Sequence, residues 1–269
     1  MSIAFIGAGN MAMSLIRGLL DSGMQASAIV ASDPSQEQRA AAESLGISVF
    51  QQNDLAIKQA AIIVLAVKPQ IAASVVQSLS GVNATQLIVS VAAGITVASL
   101  ESWLPINQPI VRCMPNTPAL VGAGMTALFA NQAVNDKHLE AAERVLQAAG
   151  KVVWVANEEQ LDAVTAVSGS GPAYFFLLME HMINAGVELG LDIQTSTDLT
   201  LQTAYGAALM AQQSVEPVAT LRENVTSPAG TTEAALNTLL QHAVPDAIAS
   251  ALRAAHHRST ELAEEFGKT

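Results

Sequence analysis

The first twelve residues place a glycine-rich turn between a β-strand and an α-helix. Residues 2–6 have the composition of a short strand, the string GAGNMA follows at residues 7–12, and an apolar pattern of helical period comes next. In such a turn the first glycine permits the tight bend, and the second lets the backbone approach a pyrophosphate. A small residue at the last position allows close helix–strand packing. Because the N–H groups that open the helix then face the phosphates, the chain is expected to begin with a dinucleotide-binding unit.

Short β-rich runs alternate with helical stretches through about residue 155. The runs at residues 29–31, 61–66, 87–91 and 109–112 are almost entirely apolar. Such runs are typical of strands in a parallel sheet that is covered by helices on both faces. The alternation predicts an α/β fold, with a Rossmann-type doubly wound sheet assigned to residues 1–157.

The composition changes after Trp154. From about Leu161 the β-branched runs give way to Ala, Leu, Met and Gln at helical spacing, as in residues 199–213. Residues 174–183 are apolar nearly all round, which is typical of a helix buried inside a bundle or an interface. Residues 158–269 are therefore predicted to form an all-α domain.

The charge balance restricts the partners of this chain. Its 12 basic and 23 acidic residues give a net charge of −11. Nucleic acid is not expected as a partner, because phosphate backbones require a basic face. An anionic ligand would have to be held by local backbone dipoles or by a few placed cations.

The remaining composition indicates an oligomeric protein of the cytoplasm. Hydrophobic residues make up 51% and charged residues 13%, so much apolar surface is expected between subunits. The single cysteine, Cys113, excludes an internal disulfide framework and fits a reducing compartment. No secretory signal is recognisable, and no apolar run reaches the roughly 18–20 residues that span a bilayer, so no membrane association is expected.

The end of the second predicted strand carries a candidate cofactor contact, Asp33. An acidic residue here usually binds the adenosine ribose 2′-OH, whereas a nearby basic residue favours the 2′-phosphate of NADP. Arg39 follows, and the Ser32 hydroxyl could donate to a 2′-phosphate, so the preference between NADP(H) and NAD(H) stays open. The alternative is that Asp33 caps the next helix.

Two later strand ends could also line the cofactor. Lys68 follows the predicted strand at residues 61–66, where a cation could meet phosphate or ribose, and Pro69 can start a helix. The alternative is an ordinary solvated lysine. Val91, Ala92 and Ala93 lie at the end of the predicted strand at residues 87–91 and leave room for a flat ring, unless they simply pack tightly.

Other reactive residue types do not form a catalytic pattern. Cys113 lies in an apolar run and is expected to be a small core residue. Ser170 lacks the glycine two residues earlier that a nucleophile elbow needs, so a turn that opens a helix is expected there. The five histidines lack metal-ligand spacing, and no metal site is predicted.

A second turn rich in hydroxyl and small residues lies at residues 224–233. It leads into a helical pattern, so several N–H groups would point at one spot and could hold a carboxylate or a phosphate. Thr231 or Thr232 with Glu233 could instead form a plain capping arrangement. The residue types alone favour neither the anion site nor the capping arrangement.

With these segments in order, the chain resembles the pyrroline-5-carboxylate reductase family, the NAD(P)H-dependent enzymes that complete proline synthesis. The resemblance covers nearly the whole chain. One departure is Ala229, where many members have a second glycine. The resemblance rests on FIGAGNM at residues 5–11, AVKP at 66–69, MPNTP at 114–118, SGSGPAY at 168–174 and, as the most specific motif, TSPAGTT at 226–232.

The resemblance implies a set of site residues. It implies that the substrate carboxylate rests on backbone at Gly230, Thr231 and Thr232, that the Thr232 hydroxyl lies near the ring nitrogen as the catalytic group, and that Glu158 lies near the substrate. It implies that the cofactor is lined by Ile6, Gly7, Ala8, Gly9, Asn10, Met11, Asp33, Asn53, Ala66, Val67, Lys68, Pro69, Val91, Ala92 and Ala93, and is reached by Asn224 from the helical domain.

The resemblance also implies that residues 158–269 bind the substrate and form a homodimer, which in this family often assembles further into a decamer. Two alternatives are a β-hydroxyacid dehydrogenase and a nucleotide-sensing protein without activity. The first needs a proton-transferring lysine in the helical domain, but no lysine lies between Lys151 and Lys268. The second has no need for the anion-binding turn before Thr232.

Overall fold

A single mixed sheet forms the centre of the first part of the chain. The computed structural model describes residues 2–267. Within this range the strands are β1 (Ile3–Ile6), β2 (Ile29–Ser32), β3 (Ser48–Phe50), β4 (Ile62–Leu65), β5 (Leu87–Ser90), β6 (Ile110–Met114), β7 (Gly124–Ala130) and β8 (Gly150–Trp154). Their order in the sheet is β3-β2-β1-β4-β5-β6-β7-β8. All neighbouring pairs are parallel except β6 and β7.

Helices connect most of these strands and make up the rest of the chain. The α-helices of the described range are α1 (Asn10–Asp21), α2 (Gln36–Glu43), α3 (Asn53–Ile57), α4 (Pro69–Ser78), α5 (Val97–Trp103), α6 (Asp136–Gln147), α7 (Gln160–Val164), α8 (Gly171–Glu188), α9 (Ile193–Gln213), α10 (Val218–Asn224), α11 (Thr231–Gln241) and α12 (Val244–Gly267). A π-helical turn, Thr165–Gly169, joins α7 to α8. None of the helices in residues 2–267 is both long and apolar enough to cross a membrane.

Strand β1 is buried on both faces, and its side chains alternate between two apolar cores. Ile3 and Phe5 belong to one core, in which α1 packs, whereas Ala4 and Ile6 belong to the other. All four residues of β1 are at most 1% exposed. The continuous apolar run at the start of the sequence is therefore explained by a strand that has no solvated face.

The Rossmann-type α/β fold predicted from the sequence is confirmed. The four apolar runs correspond to β2, β4, β5 and β6, with ends that differ by at most two residues. The antiparallel β7 was not predicted. Its sequence alternates small and apolar residues after two prolines, and hydropathy does not encode strand direction.

The chain divides into two compact units. The first comprises residues 1–170 and 255–269, and the second comprises residues 171–254. The last helix, α12, thus starts in the second unit and ends in the first. The predicted functional boundary between residues 157 and 158 stays a prediction.

The second unit is built from helices throughout residues 171–254. Helices α8 and α9 pack closely at Gly186, where a Cβ would lie 2.2 Å from the Ser196 Oγ atom. That Ser196 hydroxyl donates to the Ile183 carbonyl oxygen at 2.8 Å. The absence of a side chain at Gly186 therefore permits a hydrogen-bonded helix contact.

The prediction that residues 174–183 are buried is not met within one chain. Phe175, Phe176, Leu177 and Leu178 of α8 are each more than half exposed, at 56–64%. Four consecutive large apolar side chains point in different directions around a helix, so neighbouring helices of one small unit cannot cover them all. The alternative in the sequence analysis, an interface helix, is the one compatible with this exposure.

Candidate functional site

The carboxyl ends of five neighbouring parallel strands share one edge of the sheet. These strands are β3, β2, β1, β4 and β5. The segments that follow them contain all the cofactor candidates of the first unit: residues 6–11, Asp33, Asn53, residues 66–69 and residues 91–93. Open parallel sheets bind their ligands at this edge, where the order of strands reverses, here between β1 and β4.

The turn after β1 depends on the missing side chain of Gly7. Its φ of +96° lies in the left-handed region. A Cβ at Gly7 would lie 2.6 Å from the Ala66 carbonyl oxygen, which is too close for any side chain. The Gly7 N–H donates to the Ser32 carbonyl oxygen at 2.8 Å, so this residue joins the ends of β1, β2 and β4.

Helix α1 begins without a side-chain cap. Gly9 is its N-cap, no side chain caps it, and its first turn contains no acidic residue within the described chain. A Cβ at Gly9 would meet none of the described atoms within 4 Å, so the space in front of the helix is open. Exposed N–H groups and the helix dipole make this end suited to an anion such as a pyrophosphate.

Asp33 connects the glycine turn to the loop after β2. Its Oδ2 atom accepts from the Ala8 N–H at 2.9 Å, and its Oδ1 atom accepts from the Ser35 N–H at 2.8 Å. Ser35, not Asp33, is the N-cap of α2. The capping alternative for Asp33 is therefore wrong. The carboxylate lies instead at the carboxyl edge of the sheet, beside the glycine turn.

Two residues near Asp33 differ in their access to a ligand. Ser32 is fully buried, and its hydroxyl donates to Asn53 Oδ1 at 2.8 Å. The expectation that Ser32 could donate to a 2′-phosphate is wrong, because the hydroxyl is committed inside the protein. Arg39 curls back onto the same loop, and its Nη1 atom donates to the carbonyl oxygens of Asp33 at 2.7 Å and Pro34 at 2.8 Å.

The loop after β4 lies beside the glycine turn, and the loop after β5 starts beside the end of β4. Lys68 is exposed at the N-cap position of α4, and Pro69 is the first helical residue, as predicted. In the β5 loop Ala92 is buried and Ala93 exposed. The loop turns at Gly94, whose φ is +74° and where a Cβ would lie 3.0 Å from Phe266 Cδ2.

Glu158 has two protein partners in the first unit. Its Oε1 atom accepts from Arg112 Nη1 at 2.6 Å and from the Val97 N–H at 2.8 Å. Arg112 is 7% exposed, so the ion pair is largely buried. The resemblance implies a place near the substrate for Glu158, and its pairing with Arg112 was not predicted. The signal was a lone arginine within the apolar run of β6.

The candidate residues of the helical domain lie in the second unit. Asn224 ends α10, and its Nδ2 atom donates to Glu216 Oε2 at 3.2 Å. Gly230 is the N-cap of α11, and no side chain caps that helix. Of the capping arrangement considered for Thr231 or Thr232 with Glu233, the threonine part is wrong, and Glu233 accepts from the Ala229 N–H, one residue before the N-cap. Residues 231–233 instead present the N–H groups that open α11, which have no intrahelical partner.

The residues dismissed as nucleophiles remain unsuited to that role. Cys113 is buried, and desolvation raises the pKa of its thiol far above the ordinary value, although Arg112 opposes the shift. Ser170 follows the π-helical turn and opens α8, with Pro172 in the first turn as predicted. In residues 2–267 no three His, Cys, Asp or Glu side chains are grouped as metal ligands.

Comparison with known proteins decides the family. A model described as "pyrroline-5-carboxylate reductase dimerisation" matches residues 158–262, and one described as "NADP oxidoreductase coenzyme F420-dependent" matches residues 2–94. The pyrroline-5-carboxylate reductase of Pseudomonas aeruginosa is 53% identical over 268 residues, which cover 99% of this chain and 98% of that protein. The chain belongs to the pyrroline-5-carboxylate reductase family.

Solved structures of this family have the same fold. A pyrroline-5-carboxylate reductase from Coxiella burnetii superposes with a TM-score of 0.91 at 40% identity, covering 97% of this chain and 98% of that one. The Plasmodium falciparum pyrroline carboxylate reductase, solved with NADP bound, gives a TM-score of 0.87 at 30% identity, with coverage of 97% and 98%. Both comparisons span nearly the full length of the chains.

Replacing Gly9 with valine is expected to abolish cofactor binding without unfolding the protein. The valine side chain would project into the open space before α1, where the pyrophosphate is expected, and would touch no described protein atom within 4 Å at its Cβ. Fluorescence titration with NADPH and thermal unfolding measure the two effects. Gly7→Ala is the matched contrast, because its Cβ would collide with the Ala66 carbonyl and destabilise the fold. Unchanged NADPH affinity in Gly9→Val would refute the expectation that the pyrophosphate binds in front of α1.

Replacing Glu158 with alanine is expected to destabilise the first unit, because Arg112 would be left as a buried unpaired charge. The loss is about 3 kcal/mol, near the lower end for a broken buried pair. Glu158→Gln keeps an acceptor for the Val97 N–H and should lose less. Urea unfolding measures the change, with exposed Glu159→Ala as the control. If Glu158→Ala is as stable as the control but raises KM, the residue serves the substrate rather than the ion pair.

Proposed function

We propose that this chain reduces 1-pyrroline-5-carboxylate to L-proline with NADPH, as an oxidoreductase acting on a C=N group in the last step of proline biosynthesis. The observation that carries this proposal is the full-length relationship to pyrroline-5-carboxylate reductases. The arrangement of strand ends and helix N-termini supports it independently, since it provides separate places for two anionic molecules. Nothing in the reaction requires membrane association, and we place it in the cytoplasm.

The edge of the sheet fits a dinucleotide. The N-terminus of α1 would hold the pyrophosphate, with backbone contacts from residues 6–11, because the side chains of Ile6 and Ala8 are buried. Lys68 and the loop at residues 91–93 would lie along the rest of the cofactor, together with residues 66–69. Asn53 completes the proposed set in the first unit.

The end of β2 carries recognition groups for both forms of the cofactor. The Asp33 carboxylate suits a ribose 2′-OH, and the neighbouring Arg39 guanidinium suits a 2′-phosphate. Because Arg39 is already bound to two carbonyl oxygens of this loop, its charge is held close to the ribose position. NADPH is accordingly the proposed cofactor, with NADH as a second one.

The N-terminus of α11 is the proposed carboxylate site for the substrate. Gly230, Thr231 and Thr232 provide backbone at the positive end of an eleven-residue helix. This local dipole matters because the chain has a net charge of −11 and does not attract anions globally. The substrate carboxylate would thus be held by backbone, and the Thr232 hydroxyl would lie near the ring nitrogen.

The proposed reaction requires little acid–base or nucleophilic chemistry from the side chains. When bound, the reduced nicotinamide would supply a hydride to C5 of the cyclic imine, whose nitrogen has already taken up one proton. The resulting secondary amine takes a second proton from solvent. The protonated imine is already electrophilic, so the protein must hold the two reactants together and exclude water. An alkyl hydroxyl is a poor acid, so Thr232 orients the nitrogen by a hydrogen bond rather than by donating its proton.

The test of this function is NAD(P)H oxidation on addition of 1-pyrroline-5-carboxylate, with L-proline identified as the product. Thr232→Ala should lower kcat/KM by about ten- to a hundredfold, because a hydrogen bond to a charged group contributes roughly 1.5–3 kcal/mol. Thr232→Ser should retain most activity, and NADPH affinity should barely change. If Thr232→Ala turns over like the parent, backbone alone holds the substrate.

We also propose that the second unit forms a homodimer, which assembles further into a decamer. Many large apolar side chains of residues 171–254 are exposed in one chain, including Phe175, Phe176 and Leu189 at 62–87%. Apolar surface of this extent usually marks an interface, and the description of the family model for residues 158–262 names dimerisation.

Sedimentation at micromolar concentration should give an even multiple of the 27.9 kDa chain mass. Phe176→Glu should shift the population towards smaller species, since it would place a charge in an apolar contact. Leu120→Glu, at a 52% exposed residue of the first unit, is the matched control. A compact monomer for the parent protein would overturn the proposed assembly.

A further inference from the structure

The turn before α11 contains a residue in an unfavourable backbone conformation. Ala229 has a φ of +55°, in the left-handed region. A Cβ makes this conformation costly, whereas glycine adopts it readily. Ala229 must therefore be held in place by its surroundings.

A hydrogen bond from the first turn of α11 holds it. The Ala229 N–H donates to Glu233 Oε2 at 2.8 Å. A bond to a carboxylate is among the stronger hydrogen bonds in proteins. A second bond, from the Gly230 N–H to the Ser227 carbonyl oxygen at 3.0 Å, closes the turn one residue later.

This arrangement differs from an ordinary capping box. In a capping box the acidic residue at the third helical position accepts from the N–H of the N-cap. Here the N-cap is Gly230, and Glu233 is the third helical residue, yet Glu233 accepts from the residue before the N-cap. The carboxylate therefore fixes the conformation of the turn that leads into the helix.

We infer that Glu233 is a positioning residue for the substrate carboxylate. It acts through Ala229: by holding that residue in the left-handed region, it sets the direction of the N–H groups at residues 231 and 232, whereas the Gly230 N–H is bound within the turn. The inference rests on the proposed function, because those N–H groups are the proposed carboxylate site. It goes beyond that function in giving a role to a side chain that does not touch the substrate.

The side chain's charge and its hydrogen bond can be separated. Glu233→Gln keeps an acceptor for the Ala229 N–H. It removes the negative charge, which lies close to the proposed site for the substrate carboxylate. Glu233→Ala removes both. If the hydrogen bond is what matters, glutamine should preserve substrate affinity and alanine should not.

Glycine at position 229 provides the rescue. Ala229→Gly adopts the left-handed conformation without help, so the turn should need Glu233 less in that background. The effect of Glu233→Ala on KM should consequently be smaller in the Ala229→Gly protein than in the parent. An effect through net charge alone would be the same in both backgrounds.

The experiment measures steady-state kinetics of the full-length enzyme for the four proteins of this cycle and for Glu233→Gln. Glu233→Ala should raise KM for 1-pyrroline-5-carboxylate about three- to tenfold, with kcat and the KM for NADPH within twofold. Exposed Glu140→Ala, which removes the same charge from α6, is the control and should match the parent. Hydrogen exchange of the peptide that covers the turn should quicken in Glu233→Ala and return towards the parent rate in the double variant.

Each outcome has one meaning. A parent protein that does not oxidise NADPH with this substrate refutes the proposed function, and the exchange measurement still tests whether Glu233 fixes the turn. If the parent is active and Glu233→Ala lowers only the melting temperature, the residue is a helix cap and the inference is wrong. A raised KM that Ala229→Gly does not relieve overturns it as well.

Discussion

The close approach of two backbone segments at Gly7 organises the first unit. The Cα of this residue lies against the Ala66 carbonyl, and its N–H is bound to the end of β2. Three adjacent strands can end at the same level only because no side chain separates them there. The open space before α1, the placement of Asp33 beside Ala8, and the proximity of the β4 loop all depend on this contact.

Backbone dipoles supply locally the positive potential that the net charge of the chain does not provide. A chain with a net charge of −11 does not concentrate anionic reactants by long-range attraction. The α1 and α11 N-termini supply positive potential over a few ångströms instead, at the places proposed for a pyrophosphate and a carboxylate. The two ends differ in one respect. The first turn of α1 has no acidic residue, whereas that of α11 carries Glu233, whose carboxylate is occupied by the turn.

The sequence predicted the features that follow from local pattern. Apolar runs identified β2, β4, β5 and β6, and the glycine turn identified the junction between β1 and α1. Contacts between distant residues were not predictable in this way. The burial of Ser32 depends on its bond to Asn53, and the partner of Arg112 is forty-six residues away in the chain. The left-handed conformation of Ala229 was likewise not predictable, because alanine, unlike glycine, does not indicate a positive φ.

The path of α12 determines how the chain responds to cleavage. Residues 255–267 belong to the first unit, where the Ser259 hydroxyl donates to Asp162 Oδ1 at 2.7 Å and Phe266 packs beside Gly94. A single protease cut after residue 170 would therefore not yield a complete N-terminal fragment. Such a cut would leave the Gly94 loop on one fragment and Phe266, which packs beside it, on the other, so the first unit would stay intact only while the two fragments remained associated.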